Sequence, residues 1–490
     1  MEKPPRITTL DPVLNLAKRR GFFFNSAEIY NGANGLFDYG PLGVELGNNI
    51  KKLWWQRFVY MREDMLGLDA AILTPEPVLK ASGHVDSFSD PLIECQNCHI
   101  RLRADHYLEE DTQAVFVVRW RDEAIKQRNI GEKRAEEEAQ VAWNKLMHED
   151  KQLVCPNCGE AKFSEPRLFN MMFATQLGAV EGAGSRAYLR PETAQGIFTN
   201  FKNVLDTYHR KLPFGIAQIG KAFRNEITTG NSLFRVRELE QMEIEYFVTP
   251  GSDETAFDHW LKEQEAFLVE DMGMSRDELR PYEHAKEKLS HYSKRTIDWE
   301  YNYPFGGWGE LTGLANRTDF DLKAHQEGSG KELSYFDEEA KSRYIPYVIE
   351  PTFGHGRLLL AILIDSYREY PQGRDGKGSE LETVLHLPAK VAPVAVAVLP
   401  LMKKDGLSEK AKELFGMLRR AVPGRLMVCE KTGAVGKRYR KQDEIGTPFC
   451  VTLDYQTLED GTVTLRHRDS MEQERLSVEQ LTDKLRAELI

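Results

Sequence analysis

Between Phe223 and Tyr246 the chain reads FRNEITTGNSLFRVRELEQMEIEY. Arg224 and Arg235 carry planar, permanently charged guanidinium groups, which can meet phosphate oxygens two at a time. Further along, Arg357 stands at the head of Leu358–Ile364, a stretch apolar on every side. A charge there needs a partner, and a bound polyanion supplies one. An internal salt bridge would serve as well, and the first segment also reads as an exposed charged hairpin. Glu310 and Glu350 are carboxylates suited to Mg2+ or to a substrate ammonium. Cys95-x-x-Cys98 and Cys155-x-x-Cys158 each offer a turn that brings two thiolates to one ion, and together they complete a four-thiolate zinc site. His99 is a substitute ligand. Free or redox-active thiols are the alternative.

These groups require particular elements to hold them. Ile227–Leu233 contains Thr-Thr-Gly-Asn-Ser, which is turn chemistry. After it Met242, Ile244 and Tyr246 alternate with Gln241, Glu243 and Glu245, the period of a half-buried strand. Tyr347–Ile349 reads as a short buried strand, and Gly354 and Gly356 permit a tight turn into the helix that follows. Leu46, Ile50, Leu53, Trp54 and Phe58 share one face of a helix from Leu42 to Tyr60. Asp69–Leu79 reads as extended, with a proline at Pro75.

Residues 95–165 look inserted and hold a charged helical stretch at Gly131–Lys151. A second helical, charge-rich insertion is expected at about 252–300. Tyr370–Pro388 reads as a linker or flexible loop. From residue 391 the order strand (Val391–Leu401), helix, strand (GRLMVCE) predicts a small α/β domain with parallel strands.

The chain has 490 residues and a formal net charge of −11, which taken as a whole opposes a nucleic-acid partner. The charge is uneven. Residues 391–490 hold 17 Lys/Arg and 15 Asp/Glu, or +2, so the remainder carries −13. Local patches decide backbone binding, and the densest is Lys437, Arg438, Arg440 and Lys441 around Tyr439. No apolar run is long enough to span a membrane, the N-terminal residues contain no secretory h-region, and sparse cysteines suit a reducing cytoplasm.

The two arginine segments together resemble motifs 2 and 3 of the class II aminoacyl-tRNA synthetases. Four further segments narrow the resemblance to the glycyl-tRNA synthetases of the single-chain, dimeric type. They are Gly21–Trp55, Leu189–Phe198 (LRPETAQGIF), Gly307–Leu322 (GWGELTGLANRTDFDL) and Lys437–Asp454. The resemblance covers nearly the whole chain. It implies an α+β fold: an antiparallel-sheet catalytic core at 1–94 and 166–375, the CxxC insertion at 95–165, a linker at 376–390 and an anticodon-binding α/β domain at 391–490. The Leu42–Tyr60 helix and the Pro75 strand would form motif 1 and a homodimer interface.

The resemblance also implies the reaction, attachment of glycine to tRNA(Gly) with ATP and Mg2+ through a glycyl-adenylate. Such chemistry needs positioning and charge neutralisation rather than a protein nucleophile. Arg224 would hold the α-phosphate, Glu226 the adenine amino group and Arg357 the γ-phosphate. Asn225, Phe234, Arg235, Leu239, Glu310, Leu311 and Gly354 complete the ATP site, with Glu310 on Mg2+. The glycine pocket would comprise Arg103, Glu192, the Leu239–Glu243 segment (Leu239, Glu240, Gln241, Met242, Glu243), Glu350, Thr352 and Gly354. Glycine is selected by filling the space a β-carbon would need.

Leu239 stands where the family has a phenylalanine to stack on adenine, and Thr352 where it often has serine. Arg438, Arg440, Gln442 and Asp443 would read anticodon bases; Arg466, His467 and Arg468 are further candidates. The other reading is a non-catalytic, synthetase-like nucleic-acid-binding subunit, in which the phosphate arginines would be lost. A zinc-ribbon module of another kind would explain the CxxC pairs alone.

Overall fold

The structure, a computed structural model, describes residues 4–104, 155, 157–160, 162–178, 185–286, 289, 293–374, 376 and 380–489. The charged stretch Gly131–Lys151 lies outside the described residues. The core is a seven-stranded sheet built from β1 (Met65–Gly67), β2 (Phe214–Phe223), β3 (Glu238–Val248), β4 (Leu279–Glu283), β5 (Arg295–Tyr303), β6 (Gly307–Thr318) and β7 (Tyr347–Gly354). Its order is β4-β5-β6-β7-β3-β2-β1. Every neighbouring pair is antiparallel except β1 with β2.

Helix α1 (Pro41–Trp55) begins with proline, whose missing N–H costs nothing in a first turn. Leu46, Ile50 and Trp54 are fully buried, as is Phe58 in the wider turn Gln56–Tyr60 that continues the helix. Each such side chain contributes about 1.5–3 kcal/mol over exposure. Phe58 packs 5.7 Å from Phe353 of β7, so α1 supports the strand that carries Thr352. Gly47 allows this close approach, since a Cβ there would lie 2.7 Å from His355 Nε2.

Helix α2 (Ala194–Tyr208) covers the other face of the sheet, where Phe198 and Phe201 cluster with Phe214, Ile216 and Phe247. Helix α3 (Asp253–Ala266) sends Phe257 and Trp260 into the main core. The expected insertion at about 252–300 is therefore helical only in its first half. The rest supplies β4 and β5 to the main sheet, and α3 belongs to the core. Helix α4 (Phe320–Ser329) follows β6, and α5 (His355–Ser366) follows β7. Leu358–Ile364 is buried all round, as its composition predicts.

Three local expectations change. Asp69–Leu79 is extended only at Leu73–Pro75, and Glu76–Ala81 is helical, since Pro77 suits a first helical turn. Gly354 and Gly356 make no left-handed turn; β7 runs straight into α5 through Gly354 at φ −80°. Tyr370–Pro388 contains a strand, Glu382–Leu385, which pairs with Tyr367–Tyr370, and Leu385 and Leu387 are buried in the main core.

The C-terminal part has its own core. Its strands are β8 (Val396–Pro400), β9 (Met427–Cys429), β10 (Phe449–Leu453), β11 (Val463–His467) and β12 (Gln473–Leu476), in the order β9-β8-β10-β11-β12. As expected, β8 is parallel to β9, with α6 (Leu407–Ala421) between them in sequence. β10 is also parallel to β8, whereas β11 and β12 add an antiparallel edge. Helix α7 (Val435–Glu444) precedes β10, and α8 (Val478–Leu489) follows β12.

Candidate active site

β3 is the centre of the site. Its alternation predicts one solvated face, yet Gln241, Glu243 and Glu245 are 5%, 2% and 0% exposed. The strand is interior to the sheet and α2 covers its polar face, and Gln241 and Glu243 form part of the wall of a cavity of about 260 Å³. Arg224, Glu226, Phe234, Arg235, Leu239, Glu310 and Arg357 line one part of it, with Gly354. Glu192, Glu240, Gln241, Glu243, Glu350 and Thr352 line the rest.

The basic end is held by backbone acceptors. Arg224 follows the last residue of β2; its N–H bonds Arg237 O at 2.9 Å and its Nε donates to Pro191 O at 3.0 Å. The guanidinium lies 5.6 Å over the Phe88 ring. Arg357, in the first turn of α5, donates from Nε to Phe234 O at 3.0 Å, pairs with Glu310 at 2.8 Å and lies 4.8 Å over the Phe234 ring. The salt-bridge alternative and the polyanion reading therefore share one residue. Arg235 makes no side-chain hydrogen bond or ion pair among the described residues. Burial, with Arg103 and Arg357 nearby, lowers its pKa. The motif loop is braced by Arg237, which donates to Asn34 O at 2.6 Å and to Glu226 O at 3.1 Å. Three cationic groups facing one cavity call for an anion.

Glu310 is held below the usual carboxylate range, chiefly by Arg357. Its side chain is half exposed, so it is ionised and open, which fits a ligand for a hard divalent cation.

The acidic end is fixed by hydrogen bonds. The Thr193 and Thr352 hydroxyls both donate to Glu243, the latter at 2.9 Å, so the hydroxyl expected at position 352 is in use. Gln241 Nε2 donates to Glu243 at 3.3 Å. Gln195 donates to Glu192 at 2.9 Å, and His84 Nε2 lies 3.4 Å from it. Arg317, 1% exposed, forks onto Asp321 at 2.7 and 2.8 Å and meets Glu350 at 2.6 Å. Burial opposes ionisation of Glu192, but His84, Arg317 and Gln195 hold it well below its ordinary value. Burial pushes Glu350 up to about 8 despite Arg317. Burial and the Glu192 charge also raise Glu243. Glu243, Glu245 and Glu350 offer oxygens within 4.8 Å of one another, an arrangement that attracts a cation.

Several expected residues lie elsewhere. Met242 and Leu311 are 0% and 1% exposed and sit in the apolar core, because alternation turns them to the opposite face. Asn225 does not line the cavity; its backbone N–H bonds Met171 O at 2.7 Å. Arg103 pairs with Asp90 at 3.1 Å and lines a neighbouring cavity with Thr228, Arg235 and Trp308. Glu240 reaches the site's edge but is tied to Lys51 at 3.1 Å and His355 at 3.2 Å. Sequence reasoning missed Thr193, Gln195, Glu245, Arg317 and Asp321. The i,i+4 spacing of Arg317 and Asp321 was a usable signal.

The four cysteines do converge. Cys95 and Cys158 sulfurs are 3.6 Å apart, Cys98 and Cys155 sulfurs 3.5 Å, and all four lie within 4.8 Å of one another. A tetrahedral Zn2+ with bonds of about 2.3 Å places sulfurs about 3.8 Å apart, so the set fits. Each CxxC closes a turn, through His99 N–H to Cys95 O at 2.9 Å and Gly159 N–H to Cys155 O at 2.8 Å. Hydrogen bonding, first from Asn157, lowers the Cys98 thiol to about 6, while burial raises Cys155 to about 11. His99 turns away to Glu94 at 3.1 Å, which removes it as a substitute ligand.

The expected anticodon readers are largely interior. Arg438 is 3% exposed and donates to Pro400 O at 2.9 Å and Glu430 O at 2.8 Å. Gln442 is fully buried and accepts from Thr447 at 2.7 Å. Asp443 pairs with Arg374 and with Arg466, the latter at 2.9 and 3.0 Å. Arg466 and Arg468 are 6% and 3% exposed, and β11 is not an edge strand. The reason is helical period: α7 turns Arg438, Gln442 and Asp443 inward and leaves Lys437, Arg440 and Lys441 exposed.

Comparison with known proteins agrees with this geometry. The family described as tRNA synthetase class II core domain (G, H, P, S and T) matches residues 179–367, and the anticodon binding domain family matches 395–488. The chain is 49% identical to a glycine–tRNA ligase of Thermobifida fusca, over 97% of each chain. It is 50% identical to a glycine–tRNA ligase of Streptomyces coelicolor, over 98% of each. A crystal structure of prolyl-tRNA synthetase from Cryptosporidium parvum shares the fold, with a TM-score of 0.62 and 13% identity over 99% of this chain and 77% of that one.

Proposed function

The chain belongs to the glycine–tRNA ligase family of class II synthetases, and we propose that it activates glycine with ATP and transfers it to tRNA(Gly). A glycine carboxylate oxygen attacks the α-phosphorus of ATP, the bond to the bridging oxygen breaks, and pyrophosphate leaves. The 3′-hydroxyl of the terminal adenosine then attacks the adenylate carbonyl and AMP leaves. The observation that carries this reading is one cavity with arginines at one end and buried carboxylates at the other.

Arg224 holds the α-phosphate and the charge that develops there. Arg357 and Arg235 receive the outer phosphates, with the start of α5 adding favourable dipole. Glu226 takes the adenine amino group, Leu239 and Phe234 supply apolar ring contacts, and Glu310 would hold Mg2+, which neutralises phosphate charge when bound. Glu192, Glu243 and Glu350 receive the ammonium. Thr352, Thr193 and Gln241 fix Glu243 by hydrogen bonds, and glycine is selected by excluding a side chain from this acidic end. The intact clamp disfavours a non-catalytic subunit.

The four thiols would hold a structural Zn2+ in a closed site. The exposed α7 residues Lys437, Arg440 and Lys441 suit an RNA backbone. The strand Leu73–Pro75 is an outer strand of its sheet, with Ile72 and Leu73 exposed, which supports a homodimer. No helix among the described residues is long and apolar enough to cross a membrane; a cytoplasmic enzyme is the reading we adopt. Arg224→Ala tests the phosphate assignment: ATP–pyrophosphate exchange should fall by at least about 10²-fold with the far-UV spectrum unchanged. Retained exchange would move the α-phosphate to another arginine.

A further inference from the structure

Glu245 has no part in the chemistry above and does not line the cavity, yet it offers an oxygen within 4.8 Å of Glu243 and Glu350, which do. It is 0% exposed, and neither oxygen has a hydrogen-bond partner among the described residues. The register that pairs Glu243 with Thr352 and Tyr246 with Ile349 sets Glu245 opposite Glu350, with Ile216 of β2 on its other side. The next residue on its face of β3, Phe247, belongs to the apolar cluster under α2.

The charged groups that bear on it are Glu350 of β7, Arg317 of β6, Glu243 of its own strand and Asp321 of α4. Arg317 is already engaged by Asp321 and Glu350. A buried carboxylate without a donor, facing other carboxylates, is unfavourable both by desolvation and by repulsion. A neutral acid in the same place has a donor of its own and two acceptors to meet. Burial, with Glu350 and Glu243 close by, raises the Glu245 pKa well above its ordinary value, in agreement.

We propose that Glu245 is a positioning residue: a resident neutral acid whose O–H donates to the Glu243/Glu350 pair and steadies that pair in the ionised form that receives the glycine ammonium. This rests on the ammonium reading of Glu243 and Glu350 above. Burial raises Glu350 to about 8, so an ammonium beside it favours the ionised form and expels a proton below that pH. Apparent glycine affinity therefore improves as pH rises toward that midpoint. Removing the donor destabilises ionised Glu350 and moves the midpoint up.

The test is the KM for glycine in ATP–pyrophosphate exchange, from about pH 6.5 to about pH 8.5, for wild type, Glu245→Gln and Glu245→Leu. Glu245→Leu should raise that KM about tenfold, the loss of one hydrogen bond to a charged group. It should leave the KM for ATP unchanged and shift the midpoint upward. Glu245→Gln keeps a neutral donor and should restore both the KM and the midpoint. A rise in glycine KM for Glu245→Gln as large as for Glu245→Leu would overturn the proposal, because it would mean the charge is needed. An unaltered Glu245→Leu profile would overturn it too. If the leucine variant does not fold, Glu245→Gln is read alone: a wild-type glycine KM and midpoint agree with the proposal, and a rise of about tenfold in that KM overturns it. Glu350→Gln separates the two readings: a wild-type glycine KM there would refute the ammonium assignment itself, whatever position 245 does.

Discussion

Replacing Asp443 by asparagine tests whether α7 is a base reader or a latch. Asp443 is 1% exposed. One oxygen accepts from Arg466 at 2.9 Å; the other accepts from Arg466 at 3.0 Å and from Arg374. Arg374 and Arg466 are themselves only 5% and 6% exposed. Asparagine keeps the shape but turns one acceptor into an N–H2 facing a guanidinium. Each charge-assisted bond lost costs about 1.5–3 kcal/mol, and breaking a buried pair costs about 3–5 kcal/mol. Arg374 retains Glu382 at 2.8 Å, which favours the lower end, about 3 kcal/mol. Urea denaturation followed by far-UV circular dichroism should show the variant unfolding early by that amount. Exchange by the folded variant at low temperature should be unaffected, since the cavity is untouched. A stability change under about 1 kcal/mol joined to a selective loss with anticodon-altered tRNA would refute the latch and restore the reader.

Arg440→Ala removes an exposed cation whose partner is Glu380 at 2.7 Å. It should spare exchange, raise the KM for tRNA and weaken the salt dependence of charging; Arg438→Ala should instead lower stability, because three backbone carbonyls lose their donor. Metal analysis should find one zinc per chain. Cys98→Ser should lose it together with thermal stability, and clearly less than one zinc in the unmodified protein would refute the four-thiolate site.

The phosphate arginines were legible because their need is local: Arg357 heads a helix with no polar face, and Arg224 and Arg235 flank a turn. Glu192 was legible only through the family resemblance, and Glu350 only as a carboxylate suited to a cation. What escaped was every group whose meaning depends on which face is covered. Alternation in β3 is real, but nothing in Gln241–Glu245 says that α2 covers the polar side as well. KRYRKQD reads as one basic run, and only the placement of α7 against the Glu382–Leu385 hairpin splits it into exposed Lys437, Arg440 and Lys441 and buried Arg438, Gln442 and Asp443. Arg374 finds Asp443 across 69 residues of chain, a pairing no spacing rule predicts. The charge-rich segment after residue 252 looked like an insertion because composition reports polarity, whereas Phe257 and Trp260 decide its place.

The central claim is that one cavity joins ATP to an amino acid without a side chain. Its most direct measurement is ATP–pyrophosphate exchange with each of the twenty amino acids in turn. The account predicts exchange stimulated by glycine alone, with alanine and serine inert at the same concentration. Comparable stimulation by either, or no exchange with any amino acid, would contradict it.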